Sequence, residues 1–470
     1  MFRRILSAWS LRRNLKSIFV RPHATYQSLD GIRAISMFWV VFAHVLMGVD
    51  ILCKNGFCQA SDAMSWIDNM PVSLWFVWHG FKVLDTFFVL SGFLIGSLLF
   101  FEEKKKGSIN LKRFYWRRYL RLMPVYGFVI LLFVWLGIEE PTQPYIWANI
   151  FYVNNFLEYK QMFMNWTWSL AVEEQFYLLL PLLLIGFFFK SKHKISLIVG
   201  MFVLSFIIRL GILLANPDVA SISFTNQLFH GQPGYSPRYF EVIYDNIYSR
   251  YGPFCVGVLA AWLYIQKPQQ LEHFFKQRWV LSSSLFLLST AFLVAICWFP
   301  LFKSDFELTG WLKIAYETSH HNLWAMAIGY SMLAFMFPVG LARIFNWFLS
   351  WKIWYPVAQL SYSTYLLHVP IIIGAYQLVA INRHPELLAI FKESGMPGIM
   401  SAGILNRLTM ADIGWVFAVT VLVSFALGMV CYLLIEKPLM NLRPQEKKKP
   451  QHTLEVGAEK EWKKTHKPAA

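Results

Sequence analysis

A chain of 470 residues that is 56% hydrophobic, 18% aromatic and only 15% charged, with a mean hydropathy of +0.44, is not a soluble globular protein, in which about a quarter of residues carry charge. Its formal net charge of +16 does not mark a nucleic-acid binder, because the Lys and Arg lie between apolar spans and not on one soluble face. The expectation is an all-α membrane protein, a polytopic bundle of about ten transmembrane helices.

The first 28 residues hold Arg3, Arg4, Arg12, Arg13, Lys16 and Arg21 without a continuous apolar core. They lack the pattern of a cleavable leader and suit a basic helix on a membrane surface that ends near Pro22. Ten spans follow, at roughly 31–51, 78–101, 119–138, 166–189, 195–215, 247–266, 279–299, 321–338, 356–379 and 414–435. Most approach the ~20 residues that a helix needs to cross. With the N-terminus inside and the spans alternating, the inside segments hold 32 of the 43 Lys and Arg. That asymmetry fits ten spans with both termini cytoplasmic.

The outer loops are long and aromatic, and the stretch 226–239, NQLFHGQPGYSPRY, reads as an irregular surface loop. Cys53 and Cys58 flank KNGF in a short loop and could pair if it faces an oxidising side, whereas Cys255, Cys297 and Cys431 sit in apolar runs. The chain thus divides into a basic segment at 1–28, a membrane domain at 29–440 and a basic, solvated tail at 441–470.

The first span carries two groups that a membrane helix avoids, Arg33 and His44. Eleven positions at about 100° each bring both to one helical face, with His44 roughly 16 Å further along the axis. If Arg33 marks one surface of a core about 30 Å thick, His44 lies near the midplane. An intramembrane histidine is a functional candidate: a general base toward a hydroxyl, or a transient acyl carrier. The competing reading is a histidine hydrogen-bonded between helices for packing. Arg118 and Arg121, three apart on one face, suit phosphate groups, against a plain positive-inside role. Arg33 either binds such a phosphate or fixes the bundle. Glu173 and Glu174 lie at a depth close to that of His44, and so does His368. Only one of the two adjacent glutamates can face a given site.

These residues fall in motifs. LDGIRA followed by His44, with ten residues between Arg33 and His44, resembles the first helix of the acyltransferase-3 family. DTFFVLSGFLIG at 85–96, RRYLR at 117–121, WSLAVEEQFYLLLP at 168–181, LSYSTYLLH at 360–368 and IEKP at 435–438 resemble later family motifs in the same order, over roughly residues 28–440. The resemblance implies transfer of acyl groups, most often acetyl, from cytoplasmic acyl-coenzyme A to hydroxyls of glycans or other small molecules, at a bacterial inner membrane. It makes acyl-CoA a donor substrate rather than a bound cofactor, and implies a hydroxyl acceptor and the lipid bilayer as partners, with no nucleic acid.

On that pattern His44 and Glu173 are the expected catalytic pair, the carboxylate orienting the imidazole. Arg33, Arg118 and Arg121 are expected to hold the donor, and Asp85, Ser91, Glu174 and His368 are candidate lining residues. Against this, Glu173 could form a structural ion pair with Arg209 or Lys82, His368 could serve an interhelical hydrogen bond, and the 85–96 motif is favoured as structural. Gly92 and Gly96 there have the small-xxx-small spacing of close helix contacts. Some family relatives carry an extra periplasmic hydrolase-like domain, which is not expected here because the chain closes soon after Pro438. No zinc, CxxC, GxSxG or Walker pattern occurs, so no metal site is expected. The rival reading is a proton-coupled secondary transporter built on intramembrane Arg, His and Glu, which the lack of an internal repeat disfavours.

Overall fold

The computed structural model describes residues 7–22, 26–54, 68–138, 140–228, 236–383 and 409–443. The Cys53–Cys58 pairing, the centre of the 226–239 loop and the basic tail from 444 onward lie outside the described residues. The described chain is helical, without a strand. Its main helices are α1 (Leu11–Phe19), α2 (Gln27–Lys54), α3 (Lys82–Lys106), α4 (Leu111–Trp135), α5 (Trp168–Leu183), α6 (Lys194–Ala215), α7 (Gly252–Gln266), α8 (Pro268–Gln277), α9 (Trp279–Cys297), α10 (Gly310–Met336), α11 (Ala342–Leu349), α12 (Trp354–Arg383) and α13 (Met410–Cys431).

Helices occupy all ten segments marked as spans. Among the described residues, seven are long and apolar enough to cross a membrane. They begin at Gln27, Val72, Leu111, Asn165, Lys194, Trp279 and Met410. The chain is a multi-pass membrane protein. The helices α7, α10 and α12 fall outside those seven: α7 is short, and α10 buries Lys313, Glu317 and two histidines.

Local chemistry sets the helix ends. Asn110 caps α4 by accepting from the Arg113 N–H at 2.9 Å. Thr409 and Asp412 form a capping box at the start of α13. Gly107 ends α3 in the left-handed region (φ 67°) and donates its N–H to the Glu103 carbonyl. Two helices loosen into π turns near their ends, α5 at Leu184–Phe188 and α13 at Tyr432–Glu436. The second turn buries Glu436, whose carboxylate accepts from Ser363 Oγ at 3.2 Å.

The bundle is layered by burial. In the most apolar 18-residue stretch within Val72–Lys106, 78% of the residues are buried, whereas the matching stretches of α6 and α9 are 22% and 17% buried and show apolar faces outward, as lipid-facing helices do. The α3–α7 contact is among the tightest. A Cβ built at Gly92 would stand 2.4 Å from the Phe254 carbonyl oxygen, and one at Gly257 would stand 2.2 Å from the Val89 oxygen. Each glycine admits the other helix's backbone, the role that the small-xxx-small spacing anticipates. Gly92→Val should therefore destabilise the fold by about 1–3 kcal/mol through overpacking, read as a lower melting temperature in detergent.

The basic N-terminal segment forms α1 and stops before Pro22. Its apolar positions do not form one stripe, because the helix has three faces. Asn14 and Ile18 dock on the protein, Leu11, Leu15 and Phe19 are exposed, and Arg12, Arg13 and Lys16 occupy the remaining arc.

Candidate active site

A cavity of about 700 Å³ enters the bundle between α2, α3, α4, α5 and α12. Eight Lys and Arg line it against three Asp and Glu, so it is strongly basic. Arg33, Arg118 and Arg121 all reach it, and so do Ser91 and Glu173. At its wall, Ser91 Oγ donates to Glu173 Oε1 at 2.8 Å, and the Tyr177 hydroxyl donates to Ser91 Oγ at 2.8 Å. The same hydroxyl lies 3.2 Å from Glu173 Oε2. Arg118 lays its guanidinium over the Tyr177 ring, 3.9 Å from the centroid, and reaches Glu174 Oε1 at 3.9 Å. Arg33 feels Asp30 and Glu173 as opposite charges and Arg121 as a like one. The buried Arg118 Nε–H finds no acceptor among the described residues. A guanidinium stacked in place with an unfilled donor suits an anion that the cavity would admit.

His44 and His368 form a second unit. His368, fully buried on α12, places Nδ1 2.6 Å from the Tyr365 carbonyl oxygen, which can only accept. The proton therefore sits on His368 Nδ1, and in the neutral ring Nε2 is an acceptor. It lies 2.9 Å from His44 Nδ1, so His44 donates through Nδ1. The free lone pair of His44 is then on Nε2. One backbone carbonyl thus sets the tautomer of two rings and leaves His44 as a base, its ring partly exposed.

The expected His44–Glu173 contact is not formed: Glu173 bonds Ser91 and Tyr177, and the imidazole's partner is His368. Neither histidine lines the cavity. The cavity follows the α2 stripe through Arg33 to Met37, and His44 lies seven residues, or about 10 Å, beyond. Tyr365 links the two regions, because its side chain lines the cavity while its carbonyl holds His368. The Tyr365 hydroxyl donates to the Trp166 carbonyl at 2.7 Å.

Asp85 belongs elsewhere. Its carboxylate meets Arg250 Nη1 at 3.1 Å and accepts from His321 Nδ1 at 2.6 Å, all three side chains being buried. Beside them Arg209 donates to the Glu317 carbonyl at 2.9 and 2.7 Å, and Gln227 and Tyr239 bond the Glu317 carboxylate. Lys82 contacts His320. Arg209 and Lys82 thus have partners other than Glu173. The sequence reading missed Arg250, Glu317, His320 and His321 as a group. The available signal was the doublet His320–His321 one helical turn after Glu317.

The comparisons agree with the motifs. A model of the acyltransferase domain matches residues 26–437. The chain belongs to the acyltransferase-3 family. It is similar to "Nose resistant to fluoxetine protein 6" of Caenorhabditis elegans, 27% identical over 393 residues covering 75% of this chain and 45% of that protein. It is also similar to "O-acetyltransferase OatA" of Staphylococcus aureus, 26% identical over 367 residues covering 73% of this chain and 50% of that protein. The chain therefore spans about half the length of these curated relatives. No solved structure matches it.

Proposed function

We propose that the chain is an O-acyltransferase that moves an acyl group, acetyl in the first instance, from acyl-coenzyme A to a hydroxyl of a cell-surface or exported glycan. The proposed setting is a bacterial inner membrane, crossed ten times with both termini cytoplasmic. The observation that carries this reading is a basic cavity on the same helical stripe as a histidine with a free Nε2. The name of the Staphylococcus relative, an O-acetyltransferase, supports the acetyl choice.

In this reading Arg118, Arg121 and Arg33 hold the donor phosphates, and the pantetheine arm runs along the α2 stripe toward His44, about 16 Å from Arg33. His44 Nε2 takes the proton of the acceptor hydroxyl as its oxygen attacks the thioester carbonyl. The C–S bond breaks and the thiolate recovers the proton from the imidazolium, so atoms and charge balance without a further reactant. His368 and the Tyr365 carbonyl hold the ring in the basic tautomer. Glu173 orients Ser91 and Tyr177, and through Tyr177 the Arg118 plane. A resting acyl-His44 is the competing route; rapid-quench trapping of an acyl-imidazole would select it.

The test follows thiol release alongside mass spectrometry of the glycan, with purified protein in proteoliposomes. Arg118→Ala should raise the donor KM by about 10- to 100-fold, the worth of one charge-assisted hydrogen bond, with kcat nearly kept. An unchanged KM would remove Arg118 from donor binding. The buried Asp85–Arg250–His321 cluster, with Lys82 on the neighbouring His320, is the one observation favouring proton-coupled transport. Proton-coupled flux without thioester consumption would establish that reading instead.

A further inference from the structure

The helix α1 has a division of faces that packing against the protein does not explain. At 100° per residue, Ser17, Asn14 and Ile18 fill one arc, Leu11, Leu15 and Phe19 the next, and Arg12, Lys16 and Arg13 the remainder. The first arc is occupied. Asn14 and Ile18 are buried, and Asn441 Nδ2 donates to Asn14 Oδ1 at 3.0 Å. The Tyr355 hydroxyl donates to the Ser17 carbonyl at 3.3 Å. The second arc is bare, with Leu11 58%, Leu15 40% and Phe19 59% exposed. The third holds three exposed cations, and the helix has no acidic residue.

An apolar strip bordered along its length by cations matches the boundary between acyl chains and anionic headgroups. The docked arc also reaches the donor cavity by three routes. Tyr355 lines the cavity. Arg21, just past the helix, pairs with Asp30 at 3.0 Å and donates to the Ser350 carbonyl at 2.9 Å, and Asp30 lines the cavity. Asn441 lies between Met440 and Arg443, both cavity residues.

We infer that α1 is a docking face for an anionic phospholipid surface and that its seating there sets the geometry of the donor cavity's mouth. The cavity part of this inference rests on the acyltransferase reading; the lipid part does not.

The experiment uses the full chain in nanodiscs of phosphatidylcholine alone or with phosphatidylglycerol. Wild type is compared with the triple variant Arg12→Gln, Arg13→Gln, Lys16→Gln, whose side chains are exposed and outside the cavity lining. Backbone hydrogen exchange over residues 11–19 should slow in the anionic discs for wild type and not for the variant. The donor KM of wild type should fall by about fivefold in anionic discs, the factor for one side chain's attraction to such a surface, with kcat unchanged, and the variant should show no such response. Equal exchange in both disc types would overturn the inference whatever the activity. Protection without a KM response would overturn the link to the cavity. If no thioester is consumed in any disc, the acyltransferase reading and that link fail, while the exchange result still decides the lipid contact.

Discussion

Replacing His44 by alanine is expected to cut turnover by about 10²–10⁴-fold, the range for loss of a positioned general base, while the donor KM stays close to that of the wild type. The split follows from geometry. Arg33 and the other phosphate candidates line the cavity and His44 does not, so deleting the imidazole leaves the anion-binding wall intact. His368→Ala should give a smaller fall in kcat, because His44 survives but loses the acceptor that keeps its proton on Nδ1. Steady-state thiol release by the two variants, with melting temperatures to confirm folding, checks both. Full activity of a folded His44→Ala protein would remove it from the chemistry and shift attention to Ser91 and Glu173.

Asp85→Ala should instead act on stability. It leaves Arg250 buried without its carboxylate and His321 without its acceptor, and breaking a buried pair by removing one partner costs about 3–5 kcal/mol. Arg250 also donates to the Tyr244 carbonyl at 2.7 Å and lies 5.3 Å from the Trp168 ring. The loss would therefore loosen the start of α5, where Ser169 meets Tyr365. Thermal unfolding in detergent should show a large drop in melting temperature, while the folded fraction keeps its donor KM. An activity loss at unchanged stability would place Asp85 in the reaction.

Much of this arrangement was legible in the residues. Apolar runs located the helices because burial in lipid leaves little latitude. The eleven-position spacing set Arg33 and His44 on one stripe, since a continuous helix fixes that angle. His368, expected at a matching depth as a cavity-lining candidate, instead forms an interhelical hydrogen bond to His44 and does not line the cavity. The same depth argument failed for Glu173, because depth says nothing about helix rotation, which packing decides. Here α5 turns Glu173 toward Ser91 and Tyr177. The eighth span was begun at 321, whereas α10 begins at Gly310. Lys313, Glu317 and His320 read as loop residues by hydropathy, yet they are buried with polar partners on other elements. Mutual satisfaction of distant charges leaves no local mark in a sequence.

The gap between Met37 and His44 has an electrical meaning. Val40 and Val41, at 2% and 0% exposure, sit side by side in the middle of the two turns of α2 there. A basic, water-admitting cavity that ran the full stripe would be a conduit for ions through the bilayer. Along this stripe the cavity lining ends at Met37, and buried apolar side chains separate it from His44. In the proposed two-sided reaction, an elongated donor arm inserted into that apolar layer would leave it closed to bulk ions.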